Sequence, residues 1–267
     1  MTAPVSIPPD MVSVMLNDDA WFLIPKVEPY WSAAWVTNGT YEPEIDWVLR
    51  RATGRPYALL DAGANYGFWS VLASSAPYGR HPTVAIEPAR MNFERLVANA
   101  GANGNRFQTL RRAVLDESGR RVTLYGKMHF GLSLRKDWHP DEIDQFEEVE
   151  TITLDDVADR YSPDRKYPAF IKLDVEGSEI EGLKGARRLI DEGALIVYED
   201  HGKEAMHPAS CFALSLDDIV IWSVGKDGRA TRITAIEQVA AIKTDPILGY
   251  NFFAHRRSSP WSSVFED

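Results

Sequence analysis

Four apolar runs in this chain end in acid. Asp61 closes Ala58-Leu59-Leu60, Glu87 closes Thr83-Val84-Ala85-Ile86, Asp174 closes Phe170-Ile171-Lys172-Leu173, and Glu199-Asp200 closes the run from Ala194 to Tyr198. Each run reads as a short buried strand. Laid side by side in parallel, such strands bring their terminal acids to one rim, where open α/β sheets bind ligands. Any one of these acids by itself is usually a helix cap or a solvated charge; four in register, with a glycine turn after the first, read as a site. That turn is Asp61-Ala62-Gly63-Ala64-Asn65-Tyr66-Gly67. Gly63 and Gly67 have no Cβ, so the backbone can reverse sharply and approach a ligand. An acid after the second strand, Glu87, suits ribose hydroxyls, because a carboxylate accepts two hydrogen bonds. The glycine spacing that cradles a pyrophosphate is missing. An acid at the approach to the turn repels phosphate and attracts an ammonium or a sulfonium. S-adenosylmethionine has an amino-acid end, a ribose and no phosphate, and it fits.

The elements that must position these acids follow from the pattern. Phe68 to Ala76 and Arg90 to Ala100 have helical spacing, Phe107 to Val114 and Val122 to Tyr125 look extended, and Ser178 to Ile190 reads as one helix opened by a Ser178/Glu181 capping box. Strand and helix alternate up to about residue 200, and the end of the chain is richer in strands. The expected fold is α/β, a doubly wound, mostly parallel sheet with an antiparallel edge. Residues 1 to 40, rich in Pro and Trp (Pro8, Pro9, Trp21, Pro25, Pro29, Trp31, Trp35), cannot be one long helix. They are expected to form an arm or lid, or simply packing, ahead of a domain over 41–267. The charged stretch 127–148 is expected to be an irregular surface insertion.

The formal net charge of -10 repels nucleic-acid backbones and the single cysteine, Cys211, rules out an internal disulfide. No apolar run reaches the roughly 20 residues that span a bilayer. These features suit a reducing, cytoplasmic setting, with no nucleic-acid partner and no membrane span.

Asp61 to Gly67, Glu87-Pro88, Thr153-Leu154-Asp155-Asp156 and Ile171-Lys172-Leu173-Asp174-Val175-Glu176-Gly177-Ser178-Glu179, continued by Leu183-Lys184-Gly185-Ala186, resemble the successive blocks of the FkbM family of S-adenosylmethionine-dependent methyltransferases over roughly residues 40 to 200. The resemblance implies a class I, Rossmann-like methyltransferase with a seven-stranded sheet. It also implies O-methylation of a hydroxyl on a sugar, glycan or secondary metabolite. Carried over, Gly63, Asn65 and Gly67 line the methionine end beside Asp61 and Ala62, Glu87 with Pro88 holds the ribose, and Glu42 closes over the cofactor. Asp174 and Glu176 lie where the amine and the acceptor meet. Asp174, Glu176 and His201 are the candidate bases, since a hydroxyl acceptor benefits from one. A magnesium ion held by Asp174 with Glu199 or Asp200 is an alternative way of activating the acceptor. A nicotinamide-dependent oxidoreductase and a catalytically silent binding module are the other readings.

Overall fold

Side chains along a strand point alternately to opposite faces, and here both faces are apolar. Leu59, Phe170, Leu195 and Val197 pack on one side of the sheet, and Leu60, Ile171, Leu173 and Ile196 on the other. Such strands need cover on both sides. The computed structural model, which describes residues 9–27, 29–32, 41–126, 131–138, 145–161 and 167–266, has that three-layer arrangement. Pro8, Trp35, His129 and His139 lie outside the described residues.

The chain opens with an antiparallel hairpin of β1 (Met11–Asn17) and β2 (Ala20–Pro25), followed by α1 (Pro29–Ser32) and α2 (Pro43–Ala52). The alternating part runs β3 (Ala58–Ala62), α3 (Phe68–Ala73), β4 (Thr83–Ile86), α4 (Arg90–Ala102) and β5 (Gln108–Leu110). A small sheet of β6 (Ala113–Val114), β7 (Arg121–Gly126) and β8 (Gln145–Ile152) comes next, then α5 (Leu154–Tyr161). β9 (Ala169–Leu173), α6 (Glu179–Lys184), α7 (Arg187–Asp191), β10 (Leu195–Glu199) and α8 (Pro208–Leu214) complete the alternation. The chain closes with β11 (Ile219–Val224), β12 (Ala230–Ile233), α9 (Ile236–Ile242), β13 (Asn251–Arg256) and α10 (Ser262–Phe265).

The main sheet has the order β12-β11-β13-β10-β9-β3-β4-β5. β5, β4, β3, β9 and β10 are parallel, while β13 and β11 run antiparallel to their neighbours. This is the expected doubly wound sheet with an antiparallel edge. It has eight strands rather than seven, because Ala230-Thr231-Arg232-Ile233 hairpins back onto β11 as an added edge. From β3 the chain steps to β4 on one side and later to β9 on the other. The order therefore reverses between β3 and β9, and a crevice opens beyond their carboxyl ends.

Three local expectations need correction. The helix over 178–190 is two helices, broken at Gly185-Ala186, and Ser178 makes no side-chain cap. The Glu179 carboxylate instead accepts the N–H groups of Val175 and Gly177 (3.0 and 3.1 Å). Finally, residues 145–148 of the expected irregular insertion belong to β8, paired with β7 from Gly126 back to Thr123.

The hairpin of the N-terminal segment lies on α4. Asn99 accepts from the Leu23 N–H (2.6 Å) and donates to its carbonyl (3.1 Å); Asn103 does the same for Trp21 (2.9 and 2.6 Å). Residues four apart on a helix and two apart on a strand both repeat at about 6 Å. Two side-chain amides can therefore satisfy the open edge of β2 as a strand would. Among the described residues, no helix is long and apolar enough to cross a membrane.

Candidate active site

β3 and β9 pair in register, with Asp61 opposite Lys172. Period-two alternation puts Asp61, Lys172 and Asp174 on one face. Lys172 is buried within an apolar strand, and its ammonium donates to Asp174 Oδ2 at 3.0 Å. Burial alone would deprotonate it. Asp174, Glu42 and Asp61 reverse that effect, and its pKa lies above the ordinary lysine value. Asp61 is buried too. Its Oδ2 accepts from Ser70 (2.6 Å), Oδ1 has no hydrogen-bond partner, and burial raises its pKa.

The turn after β3 brings two strand ends together. A Cβ on Gly63 would lie 1.6 Å from the Asp174 carbonyl oxygen, and Gly63 has φ +74°. Gly67, at φ +87°, would drive a Cβ to 2.4 Å from Leu96 Cδ1. Only glycine fits either place. Ala62 is buried and its carbonyl accepts the Asp174 N–H (3.1 Å), so it holds the two strand ends in register. Asn65, Glu42 and Glu176 occupy the left-handed region at φ 52°, 44° and 52°. Each costs about 1–3 kcal/mol, the kind of strain held at functional sites.

Beyond these ends lies a cleft lined by Gly63, Asn65, Glu87, Pro88, Asp174 and Glu176, among others. Tyr30, Trp31, Tyr41 and Trp69 give it an aromatic wall, and Ala113, Val114 and Leu124 make an apolar end. Glu87 is fixed firmly: Oε2 accepts the Asn65 N–H (2.8 Å), and Oε1 accepts the Ala89 N–H (2.9 Å) and the Asn92 amide (3.4 Å). Burial nevertheless pushes its pKa up to about 7. Glu42 accepts from the Trp69 indole (2.6 Å) and from Asn251 (2.9 Å), and burial with the nearby Asp174 charge raises it to about 7. Burial lifts Glu176 to about 7, Glu179 to about 8 and Glu199 well above the usual range, with Asp174 adding to each. The rim is strongly electronegative and offsets this with two lysines, Lys172 inside and Lys203 at the edge, the latter held below its ordinary pKa by burial.

The expected acids separate into different environments. Glu87 and Asp174 line the cleft, while Asp61 stands behind it against Lys172 and Ser70. Asp200 is turned away into a fully buried ion pair with Lys243 and accepts the Ser210 N–H (2.9 Å). Of the alternative magnesium site, Asp174 with Glu199 or Asp200, the Asp200 carboxylate is therefore committed elsewhere. Among the described residues, no group of three or more His, Cys, Asp or Glu side chains is placed to share an ion. His201 does not line the cleft; its Nδ1 accepts the Lys203 N–H (3.2 Å) and its ring meets Trp138 edge-on at 5.7 Å. Sequence reasoning missed Lys172, Trp69 and Trp138 as site residues. For Lys172 the signal was a lone base inside an apolar strand, two residues before an acid.

The Methyltransferase FkbM domain model matches residues 61–212, from the acid that ends β3 into α8, more than half of the chain. The chain belongs to the FkbM methyltransferase family. No curated protein matches it in sequence. Among solved structures this FkbM chain is similar to a methyltransferase FkbM from Methylobacillus flagellatus KT, with 19% identity, a TM-score of 0.44, and coverage of 75% of this chain and 43% of that one. It thus spans less than half the length of that relative. It is also similar to an O-methyltransferase from Bacillus cereus in complex with SAH (13% identity, 88% and 93% coverage, TM-score 0.44). A third similarity is to cofactor-bound Rv0187 from MTB (11% identity, 87% and 91% coverage, TM-score 0.45).

Proposed function

We propose that this chain is an S-adenosylmethionine-dependent methyltransferase acting on a hydroxyl of a sugar, glycan or secondary metabolite. The observation that carries the reading is the Gly63 turn. Its missing Cβ lets the Asp174 carbonyl close onto the turn, and the space beside the turn is lined by the carboxylates of both Asp174 and Glu87. A cationic ligand free of phosphate fits that space. The buried Asp61 Oδ1, which lacks a partner, adds negative potential behind it.

Gly63 and Asn65 would receive the methionine end, with Asp174 nearest the amine and Glu42 closing from the aromatic side. Glu87 would hold the ribose. Three donors already occupy most of its roughly four acceptor positions, so it takes one hydroxyl well rather than two. Pro88, Ala113 and Val114 would face the flat, apolar base. Bound there, S-adenosylmethionine supplies a methyl carbon made electrophilic by its sulfonium.

The remaining work is done by the chain. The Tyr30, Trp31 and Tyr41 wall excludes water and orients the acceptor, since methyl transfer is mainly a matter of alignment. Asp174 is the residue to take the acceptor proton: Lys172 holds Oδ2, and Oδ1 receives no side-chain hydrogen bond among the described residues. Glu176 is poorly suited, because both its oxygens already accept hydrogen bonds. Family membership favours methyl transfer over hydride transfer to nicotinamide.

The test is release of S-adenosylhomocysteine from a panel of hydroxylated glycosides and phenols. Asp174→Asn should lower turnover by about 10²–10⁴, far more than His201→Ala. Equal turnover in Asp174→Asn and wild type would remove Asp174 from the role.

A further inference from the structure

Glu176 lies just beyond β9, and Gly131 to Trp138 lies between β7 and β8, distant in sequence. The structure joins them through one carboxylate. Glu176 Oε1 accepts the Gly131 N–H (3.1 Å) and Oε2 accepts the Trp138 indole N–H (2.8 Å). The Glu176 carbonyl accepts the Ser133 hydroxyl. Gly177 leaves room for the indole, since a Cβ there would lie 2.6 Å from the Trp138 ring. Lys203 lies 3.4 Å over the same ring and donates to the Trp138 carbonyl (3.1 Å). On its other side the segment is stitched to β7 by the reciprocal Tyr125–Ser133 bonds (2.8 and 2.9 Å). So held, it places Leu132 and Leu134 on the cleft.

We infer that Glu176 is a positioning residue, a clasp that fixes the 131–138 segment as the acceptor-side wall of the cleft and so sets which acceptor fits. Assigning the wall to the acceptor rests on the proposed methyl transfer; the contacts that build it do not.

Receiving one N–H on each oxygen favours the ionised carboxylate, since protonation weakens one of the two acceptors. Asp174 and Glu199 face Glu176 from the ends of β9 and β10 and favour protonation, while Lys203 opposes it. Burial and these acids bring its titration to about pH 7. The clasp is therefore closed above that pH and loosened below it.

Arg135 and Lys136 are exposed on the segment, so limited trypsin digestion of the ligand-free full chain reads its opening. At pH 8, cleavage after residues 135 and 136, identified by fragment mass, should be at least about tenfold faster in Glu176→Ala and Trp138→Phe than in wild type. Glu176→Gln, which keeps one acceptor oxygen, should fall between. The ratio of variant to wild type should shrink toward one at pH 6. Should Glu176→Ala fail to fold, Trp138→Phe decides, since it removes only the indole donor and keeps a ring. Equal rates for wild type and Trp138→Phe, or a ratio that does not change with pH, would overturn the clasp. Because no cofactor is present in the digestion, its outcome is independent of whether S-adenosylhomocysteine binds.

Discussion

At the residue scale, the centre of the site is a buried charge cluster and not a single group. Lys172 faces Asp61 across the β3–β9 register and bonds to Asp174 two positions on. Removing one member of a buried pair leaves the other uncompensated, at about 3–5 kcal/mol. Lys172→Met should therefore lower unfolding free energy by an amount of that order, read by urea denaturation, although methionine packs well in a strand. A loss under about 1 kcal/mol would mean that the pair behaves as an exposed one. Gly63→Ala tests the turn separately. Its methyl collides with the Asp174 carbonyl, which backbone must move to relieve. S-adenosylhomocysteine affinity should fall and turnover should drop about a hundredfold, the effect on rate of a misplacement of about 1 Å, with the far-UV spectrum kept.

At the element scale, short parallel strands with fixed registers set the positions of the acids, and accessory segments wall the cleft. The first part was legible in the sequence, because apolar runs closed by acids and a glycine turn have direct local causes. Asp61, Glu87 and Asp174 fall at the ends of adjacent strands, as their spacing implied. The walls were not legible. Trp138 approaches Glu176 from 38 residues away, and Asn99 and Asn103 bind a hairpin about 80 residues earlier. Nothing local marks such contacts. Asp200 misled because its partner, Lys243, is equally distant. Asn99→Ala leaves the Leu23 N–H and the Leu23 and Tyr66 carbonyls without their partner. Buried groups so exposed cost about 1–3 kcal/mol each. The variant should lose several degrees in Tm by calorimetry, and hydrogen exchange should speed up in β2 before β3.

At the scale of the whole molecule, the acidic rim couples folding, ligand and pH. Glu42, Glu87, Glu176 and Glu179 all titrate near 7 to 8, raised by burial from ordinary glutamate values. In that window the folded chain binds more protons than the unfolded one, so stability falls as pH rises. His81 and His255 are held below their usual values by burial, and their smaller opposing contribution ends about one unit above the unfolded value of about 6.5. The Tm of the ligand-free chain should therefore fall between pH 6.5 and 8.5; a rise would show that the acids are ionised at no cost. A cation in the cleft reverses this trend, because it favours the ionised acids. S-adenosylmethionine should stabilise more at pH 8 than at pH 6, and its advantage over the product, which lacks the sulfonium charge, should widen with pH.

The proposed function requires that the crevice between β3 and β9 take an S-adenosyl ligand held by Glu87. Titration calorimetry of S-adenosylhomocysteine against wild type and Glu87→Gln tests it most directly. One-to-one binding with a Kd in the micromolar range, weakened at least about tenfold by Glu87→Gln, is the predicted result. Absence of binding to the wild type, or equal affinity in the two proteins, would contradict it.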